Sequence, residues 1–328
     1  MNSRPENNIG GVSVCEFPLI SIGITCYNAA DTIERAIRSA LSQRWQNFEI
    51  VVVDDCSSDE SPELIKGLAD QYDEIRFIQH TVNRGFPAAL NTICSNSFGE
   101  FLVFFDDDDE SDPDRLKAQY NRILVAEASY PGKPILCYSN RNIIELGDTQ
   151  TDQVTYAIGR EAPEPHGQVV ADFLLLLTEP NPYVWGQFGS CTLMTRRQVL
   201  LDVEYFDERF RRMAEWDMAI RVCKNDAYFV AVNRPLVTQY KTLGVDGEKS
   251  GKTPLKYALL LRKKHSRYLK NKRLYLSSLA MARVRFYYSQ GDKFKMRFYI
   301  LVALIFSPLQ LLMPIIKKSR SSKRIGDK

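Results

Sequence analysis

The sequence is poor in the side chains that build thiolate or histidine metal sites. Its 328 residues include seven cysteines and three histidines, and no two cysteines form a CxxC pair. Cysteines this far apart, several of them inside apolar runs, are typical of buried, reduced thiols in a cytoplasmic protein. The histidines also lack the spacing of metal ligands, which argues against a histidine-based mechanism; they are His80, His166 and His265.

Other missing features narrow the class of protein further. Residues 1–17 contain no apolar run, so we expect a disordered segment there rather than a secretory signal. The chain has no internal repeat and no low-complexity tract, and its 45% hydrophobic and 25% charged residues are ordinary for a globular enzyme. The net charge of +3 conceals a basic excess after Arg262, where only Asp292 and Asp327 are acidic.

The most unusual stretch that is present is Gly99–Leu116, in which an apolar run leads directly into a run of acids. Residues 101–105 are all apolar and predict a strand buried on both faces. The acids that follow are Asp106, Asp107, Asp108, Asp109 and Glu110. An acidic helix cap would use Asp112 and Pro113 but would leave these mutually repelling carboxylates unexplained. A hard divalent cation, which takes carboxylate and phosphate oxygens, explains them better and is the favoured interpretation.

Strands and helices are predicted to alternate through the first third of the chain. Strands are expected at 18–26, 48–53, 75–79 and 101–106, with helices at 32–42, 62–71 and 86–96 between them. Such alternation is typical of βαβ units, and so of an α/β fold with a mostly parallel sheet flanked by helices. A polar cluster follows each strand, and ligands bind at this carboxyl edge of parallel sheets. The sequence therefore predicts a nucleotide site formed by residues 25–28, 54–59, 83–85 and 106–109.

Four motifs in this order resemble those of glycosyltransferase family 2, whose members are inverting enzymes with the GT-A fold. The motifs read SIGITCYN, VVVDDCSSD, NRGFPAALN and FFDDDDESDPDRL, and the resemblance covers about residues 18–245. It implies a nucleotide-sugar donor, usually a UDP-sugar, bound together with a divalent metal, Mn²⁺ or Mg²⁺. It also implies a nucleotide-sugar-binding half at 18–130 and an acceptor-binding, catalytic half at 131–245. Within the second half, we expect a hairpin at 135–146.

The resemblance assigns donor-binding roles to individual residues by position. These residues are Thr25, Tyr27, Asn28, Asp54, Asp55, Arg84, Asp106 and Asp107. Asp55, or alternatively Asp54, would hydrogen-bond the base. Arg84 would lie near the base or the phosphates.

The resemblance also implies a metal site in the acidic run. Asp106 would face the ribose and the metal, and Asp108 would ligate the metal directly. Asp107 stands where many members of the family carry a small residue. The set of carboxylates that touch the metal therefore stays open.

A second acidic pair lies at the start of a predicted helix, within residues 205–221. Positions 216, 219, 220 and 223 have helical spacing and predict its buried face, which leaves Glu215 and Asp217 near the first turn. The helix dipole stabilises acids there, and from the residues alone this explanation is as good as catalysis. The segment resembles FDE…EDWDLWLR of the family, in which the acid two residues before the last acid is the catalytic base. That alignment puts Glu215 in the base position and keeps Asp217 as a second candidate.

The last part of the chain, 246–328, is predicted to be a basic helical tail. Residues 298–316 form nineteen positions without a charge, flanked by Lys and Arg on both sides and interrupted by Pro308 and Pro314. The segment is long enough to span a bilayer, but its flanking charges favour a helix that lies in the cytoplasmic leaflet. A helix packed in the core is the alternative. We expect the domain to be complete before residue 240, without core residues from the tail.

Together these features predict an inverting, metal-dependent glycosyltransferase at the cytoplasmic face of a membrane, with no nucleic-acid partner. Glu215 would take the proton from a hydroxyl of a glycan or a lipid-linked acceptor in surface polysaccharide biosynthesis. Two alternatives remain. A nucleotidyltransferase would need a Gly-rich basic loop after the first strand, where this chain has Cys26-Tyr-Asn-Ala-Ala30. A non-catalytic, membrane-anchored sugar-nucleotide-binding protein would not need intact acidic motifs at both sites.

Overall fold

A nine-stranded sheet forms the centre of the computed structural model, which describes residues 17–145, 153–176, 179–241 and 251–306. The strands are β1 (Ile20–Cys26), β2 (Phe48–Asp54), β3 (Ile75–Gln79), β4 (Phe101–Phe105), β5 (Glu110–Ser111), β6 (Ile135–Ile144), β7 (Gln153–Thr155), β8 (Met194–Arg196) and β9 (Tyr228–Tyr240). The helices are α1 (Ile33–Leu41), α2 (Ser61–Ala69), α3 (Phe86–Asn96), α4 (Arg115–Ser129), α5 (Gly167–Leu176), α6 (Arg197–Leu201), α7 (Ala214–Val222), α8 (Thr253–Lys264), α9 (Ser266–Asn271), α10 (Tyr275–Ser289) and α11 (Lys293–Phe306).

The first half of the sheet is parallel, as the alternation of strands and helices predicts. The strand order is β3-β2-β1-β4, with β1 paired to β2 on one side and to β4 on the other. Every residue of β4 is buried, and so is all of β1 except Thr25. Because these strands run in one direction, their carboxyl ends meet at one edge, where Cys26 lies beside Asp54 and Asp54 beside Gln79. The predicted α/β fold is confirmed.

The second half makes the sheet mixed. Strand β8 lies antiparallel between β4 and β6, and β6 then runs parallel to β9. The hairpin expected at 135–146 is wrong, because β6 continues without a turn from Ile135 to Ile144. The polar residues that interrupt its apolar pattern mark a shift in register at Asn140 rather than a reversal of the chain.

The helical extension, residues 253–306, shares its hydrophobic core with the sheet. Tyr257, Leu261, Leu269 and Leu274 are buried in the same cluster as residues of β4, β6 and α7. The expectation that the domain is complete before residue 240 is therefore wrong. These apolar positions alternate with many lysines and arginines, whose long stems also cover apolar surface, so the sequence pattern looks like that of a solvated tail.

Helix α11 covers the beginning of the predicted apolar segment 298–316. Residues 307–316 of that segment lie outside the described residues. Within the parts of the chain that the structure describes, no helix is both long and apolar enough to cross a membrane. Helix α11 packs against α10 and leaves several large apolar side chains, Phe294 among them, exposed.

Helix α3 packs closely onto β1 at Gly23. A Cβ atom at this position would lie 2.3 Å from Cγ2 of Ile93, a buried side chain of α3. Gly67 in α2 is the opposite case, because a Cβ atom there would meet nothing within 4 Å. The two glycines therefore provide a matched pair for testing how tightly α3 is held on the sheet.

Gly23→Ala should lower the free energy of unfolding by about 1–3 kcal/mol, because the added methyl group overpacks β1 against α3. Gly67→Ala, the control, should raise it by roughly 0.5–1 kcal/mol, because alanine is favoured over glycine inside a helix. Urea unfolding followed by circular dichroism measures both changes. A Gly23→Ala protein as stable as the wild type would contradict the close packing of α3 on β1.

Candidate active site

A cleft of about 640 Å³ opens at the carboxyl edge of the parallel strands. The residues that line it are Thr25, Cys26, Tyr27, Asp55, Asn83, Gly85, Phe86, Ala89, Asp106, Asp107, Asp108, Arg211, Arg212, Met213, Glu215 and Gln239. They come from the ends of β1, β2 and β4, from the starts of α3 and α7, and from β9. The cleft therefore lies at the sheet edge that the sequence singles out.

Most of the predicted site residues meet in this cleft. Those that line it are Thr25, Tyr27, Asp55, Asp106, Asp107, Asp108 and Glu215. The other predicted site residues lie beside the cleft or outside it; they are Asn28, Asp54, Arg84 and Asp217. The cleft thus unites two distant segments, the strand ends before residue 110 and the start of α7.

Asn28 and Asp54 brace the loops that border the cleft. Asn28 adopts a left-handed backbone conformation with φ of 51°, and its Oδ1 accepts a hydrogen bond from the Ser58 amide at 2.8 Å. Asp54 is buried and accepts one from the Ser57 amide at 3.0 Å. The Asn28 contact joins the loop after β1 to the loop after β2, whereas the Asp54 contact closes the turn that follows β2. These residues therefore shape the cleft wall without lining it.

Asp55 joins the loop after β2 to the turn before α3. Its Oδ1 accepts a hydrogen bond from the Arg84 amide at 2.9 Å, and its Oδ2 accepts one from the Gly85 amide at 2.6 Å. Gly85 has φ of 91°, a conformation that favours glycine. The Arg84 side chain points elsewhere and pairs with Glu208 on the surface at 3.2 Å.

The carboxylates of the acidic loop, residues 106–109, crowd one another in a site where Asp109 is buried and the other three are half-buried. Burial, followed by the charges of Asp108 and Glu215, raises the pKa of Asp106 to about 7. Burial and the charge of Asp108 likewise raise the pKa of Asp107 to about 7. Burial, with the charges of Asp106 and Asp108, raises the pKa of Asp109 to about 9. The raised pKa values mean that the positive charge around the loop does not fully balance the negative charge of its carboxylates.

The acidic loop fits a divalent cation. Both carboxylate oxygens of Asp109 are buried and have no hydrogen-bond partner among the described residues. Ligand atoms of Asp106, Asp109 and Cys191 lie within 4.8 Å of one another. A buried carboxylate without a partner is costly, and a hard cation would satisfy it. Burial raises the pKa of the Cys191 thiol, so the carboxylate oxygens are the better ligands for Mg²⁺ or Mn²⁺.

Two arginines that the sequence did not single out contribute charge opposite to that of the acidic loop. Arg115, the first residue of α4, is fully buried and donates to the Phe104 carbonyl and to the Ser111 hydroxyl, each at 2.9 Å. Arg141 donates to Cys191 Sγ at 3.2 Å. Both cations lower the pKa of Asp106, against the larger effect of burial. An arginine in the first turn of a helix normally lies at the surface. The one feature of the sequence that could have indicated a role for Arg115 is its position close to the acidic run.

Glu215 faces the cleft from the first turn of α7. Its Oε1 accepts a hydrogen bond from the Ser190 hydroxyl at 3.1 Å. The residue before the helix, Met213, has φ of 65°, which is uncommon for a residue with a side chain. This turn brings the start of α7, with Glu215, to the cleft wall.

Asp217 lies outside the cleft and is completely buried. Its carboxylate accepts hydrogen bonds from Arg221 Nε at 2.8 Å, Lys264 Nζ at 2.7 Å and His265 Nε2 at 2.9 Å. Burial alone would raise the pKa of Asp217, but His265, Lys264 and Arg221 together hold it below its ordinary value. Two of these three partners, Lys264 and His265, belong to the helical extension, so Asp217 anchors α7 to that extension.

Comparison with known proteins agrees with this geometry. The sequence model of glycosyl transferase family 2 matches residues 21–156. An uncharacterized glycosyltransferase from Haemophilus influenzae is 36% identical over 167 residues, which are 50% of this chain and 67% of that protein. The succinoglycan biosynthesis protein ExoO from Rhizobium meliloti is 38% identical over 116 residues, which are 35% of this chain. The match spans a third of the Rhizobium protein, 33% of its length.

The fold also has a counterpart among solved structures. The crystal structure of S. aureus TarS 1–349 in complex with UDP-GlcNAc matches with a TM-score of 0.61 at 18% sequence identity, covering 87% of this chain and 79% of that one. This similarity confirms the expected GT-A type of fold. The family model matches this chain, the Haemophilus relative shares its sequence, and the motifs surround one cleft. The chain therefore belongs to glycosyltransferase family 2.

Proposed function

We propose that this glycosyltransferase moves a sugar from a UDP-sugar to a hydroxyl of a glycan or lipid-linked acceptor in the synthesis of a surface polysaccharide. The observation that carries the proposal is a single cleft that holds both the acidic loop and Glu215. The name of the Rhizobium relative supports a polysaccharide product, and the TarS complex with UDP-GlcNAc supports a UDP-sugar donor. Residues 18–130 would bind the donor, with the Asp55 carboxylate in the cleft accepting a hydrogen bond from the base, and residues 131–245 would bind the acceptor.

We assign the metal and the diphosphate to the acidic loop. Asp106 and Asp108 would hold Mn²⁺ or Mg²⁺. The carboxylate of Asp109, which has no hydrogen-bond partner in the described part of the chain, supports a third ligand. When bound, the cation would supply positive charge to the leaving diphosphate. Arg211 and Arg212 line the same cleft and would add positive charge from the protein itself.

Glu215 is the catalytic base in this proposal. Its carboxylate removes the proton from the acceptor hydroxyl while the hydroxyl oxygen attacks the anomeric carbon from the face opposite the diphosphate. The new carbon–oxygen bond forms as the bond to the diphosphate breaks, so the configuration is inverted. Asp217 is less suited to this role, because three cationic or hydrogen-bonding side chains already surround its buried carboxylate.

Glu215→Gln should lower kcat by about 10² to 10⁴, the usual contribution of a general base, and should leave UDP affinity unchanged. Asp217→Asn, the contrasting variant, should lower stability by roughly 3–5 kcal/mol, because it breaks a buried ion pair. The folded molecules of the Asp217→Asn variant should still transfer the sugar. Transfer assays and thermal unfolding measure the two effects. An active Glu215→Gln enzyme beside a folded but inactive Asp217→Asn enzyme would move the base to Asp217.

Asp108→Asn should weaken Mn²⁺-dependent UDP binding at least about tenfold, equal to roughly 1.4 kcal/mol. In the presence of EDTA the same variant should be as stable as the wild type or more stable, because one of the repelling charges is gone. Glu110→Gln is the control, since Glu110 pairs with Arg35 at 3.2 Å. Calorimetry with UDP and Mn²⁺ makes the comparison. Equal Mn²⁺ dependence in Asp108→Asn and the wild type would refute the metal assignment.

The exposed face of α11 supports a membrane partner. Four apolar side chains with helical spacing i, i+4, i+7 and i+11 are 83%, 54%, 58% and 68% exposed; they are Phe294, Phe298, Leu301 and Ile305. Exposed basic residues begin the same helix; they are Lys293, Lys295 and Arg297. This combination is typical of a helix that lies in the plane of an anionic membrane surface. We propose that α11 rests on the cytoplasmic leaflet.

Replacing Phe298 and Leu301 together by serine should weaken binding to vesicles that contain anionic phospholipid at least about tenfold, because burial of each such side chain contributes roughly 1.5–3 kcal/mol. Val125→Ser is the control, since Val125 is 60% exposed but lies on α4 and not on the apolar face of α11. Cosedimentation with the vesicles measures binding. Equal binding by the double variant and the wild type would exclude α11 as the membrane contact.

A further inference from the structure

Behind Asp55 lies a histidine to which the proposed reaction assigns no role. His80 Nδ1 lies 2.7 Å from Asp55 Oδ1, and the two side chains are 7% and 5% exposed. On the other side of the ring, His80 Nε2 lies 2.9 Å from the Thr92 hydroxyl in α3. The imidazole is therefore held between the end of β2 and α3, and its orientation is fixed from both sides.

The hydrogen bonds of the ring determine which nitrogen carries a proton. An ionised carboxylate can only accept, so His80 Nδ1 donates to Asp55. The Thr92 hydroxyl also lies 3.0 Å from the Ala88 carbonyl and is itself tied to the first turn of α3. A histidine held in this way presents one fixed N–H donor to its carboxylate partner.

With His80 in place, the Asp55 carboxylate has little accepting capacity left. An ionised carboxylate offers about four lone-pair sites. Oδ1 accepts from His80 Nδ1 and from the Arg84 amide, whereas Oδ2 accepts from the Gly85 amide at 2.6 Å. One site on Oδ2 remains, and Asp55 lines the cleft. A ring N–H of a base can donate to that site, as N3 of uracil does, whereas N3 of cytosine is an acceptor and would be repelled.

We propose that His80 is a positioning residue that fixes the plane of the Asp55 carboxylate and thereby sets the preference for uridine over cytidine nucleotides. The inference rests on the proposed function, in which Asp55 contacts the base. Without the His80 donor, the carboxylate keeps the hydrogen bonds from the Arg84 and Gly85 amides, both from one turn, and is held less firmly about its Cβ–Cγ bond. The base would then meet a less directed acceptor, and the discrimination between donor and acceptor at N3 would weaken.

The test is the ratio of UDP to CDP affinity, measured by calorimetry on the 328-residue chain with Mn²⁺. His80→Leu should lower this ratio at least about tenfold, or roughly 1.4 kcal/mol. His80→Asn, whose side-chain amide can replace the Nδ1–H donor, should keep the ratio near that of the wild type. His166→Leu is the matched control, because His166 Nδ1 also lies 2.7 Å from a carboxylate oxygen, that of Asp226, outside the cleft.

The outcomes separate this inference from the proposed function. If Asp55→Asn abolishes the preference for UDP and His80→Leu does not change it, the role of His80 is refuted and the role of Asp55 stands. If Asp55→Asn leaves the preference unchanged, the base contact of the proposed function is itself wrong. Should His80→Leu fail to fold, Thr92→Val frees the other side of the ring and should lower the ratio in the same direction. An unchanged ratio in Thr92→Val would then count against the inference.

Discussion

Negative charge gathered at the end of a buried strand is the constraint on which this site depends. Strand β4 is buried along its whole length and delivers Asp106 to a fixed place, and the chain is pinned again where Glu110 in β5 pairs with β9. The acidic loop between these anchors cannot relieve its repulsion by moving apart. Arg115 and Arg141 offset part of the charge, and the raised pKa values show that part of it is left over.

The parts of the fold that follow from local sequence patterns were predictable. In the first hundred residues, each apolar run is one strand, and parallel strands must share a carboxyl edge, so the position of the cleft followed from the strand ends. The second half was harder, because β6 pairs with strands that lie far away in the sequence. Nothing local to Asn140 distinguishes a register shift between distant strands from a turn.

The candidate site shows the same division. Asp55, Asp106 and Glu215 could be found because the family motifs assign roles to their positions, whereas the motifs assign none to Arg115 or His80. Both are buried partners of acids, and burial of a charged or polar side chain depends on which distant groups come to meet it. The sequence shows which side chains can donate or accept hydrogen bonds, but the fold determines which of them pair.

Two acids two residues apart have opposite environments in α7. Glu215 faces the cleft and has one neutral hydroxyl as its partner, whereas Asp217 is buried and already satisfied by basic side chains. Positions two apart on a helix lie about 200° apart around its axis, so the same short segment presents one carboxylate to the cleft and the other to the protein interior.

The bond between Lys264 and Asp217 has a consequence for the order of events during synthesis. Helix α7 leaves the ribosome well before Lys264 and His265, so Asp217 at first has Arg221 alone among its three partners. A buried carboxylate with a single partner favours an open, hydrated state of its helix. We therefore expect the wall of the cleft that carries Glu215 to be completed only after Lys264 and His265 have reached Asp217.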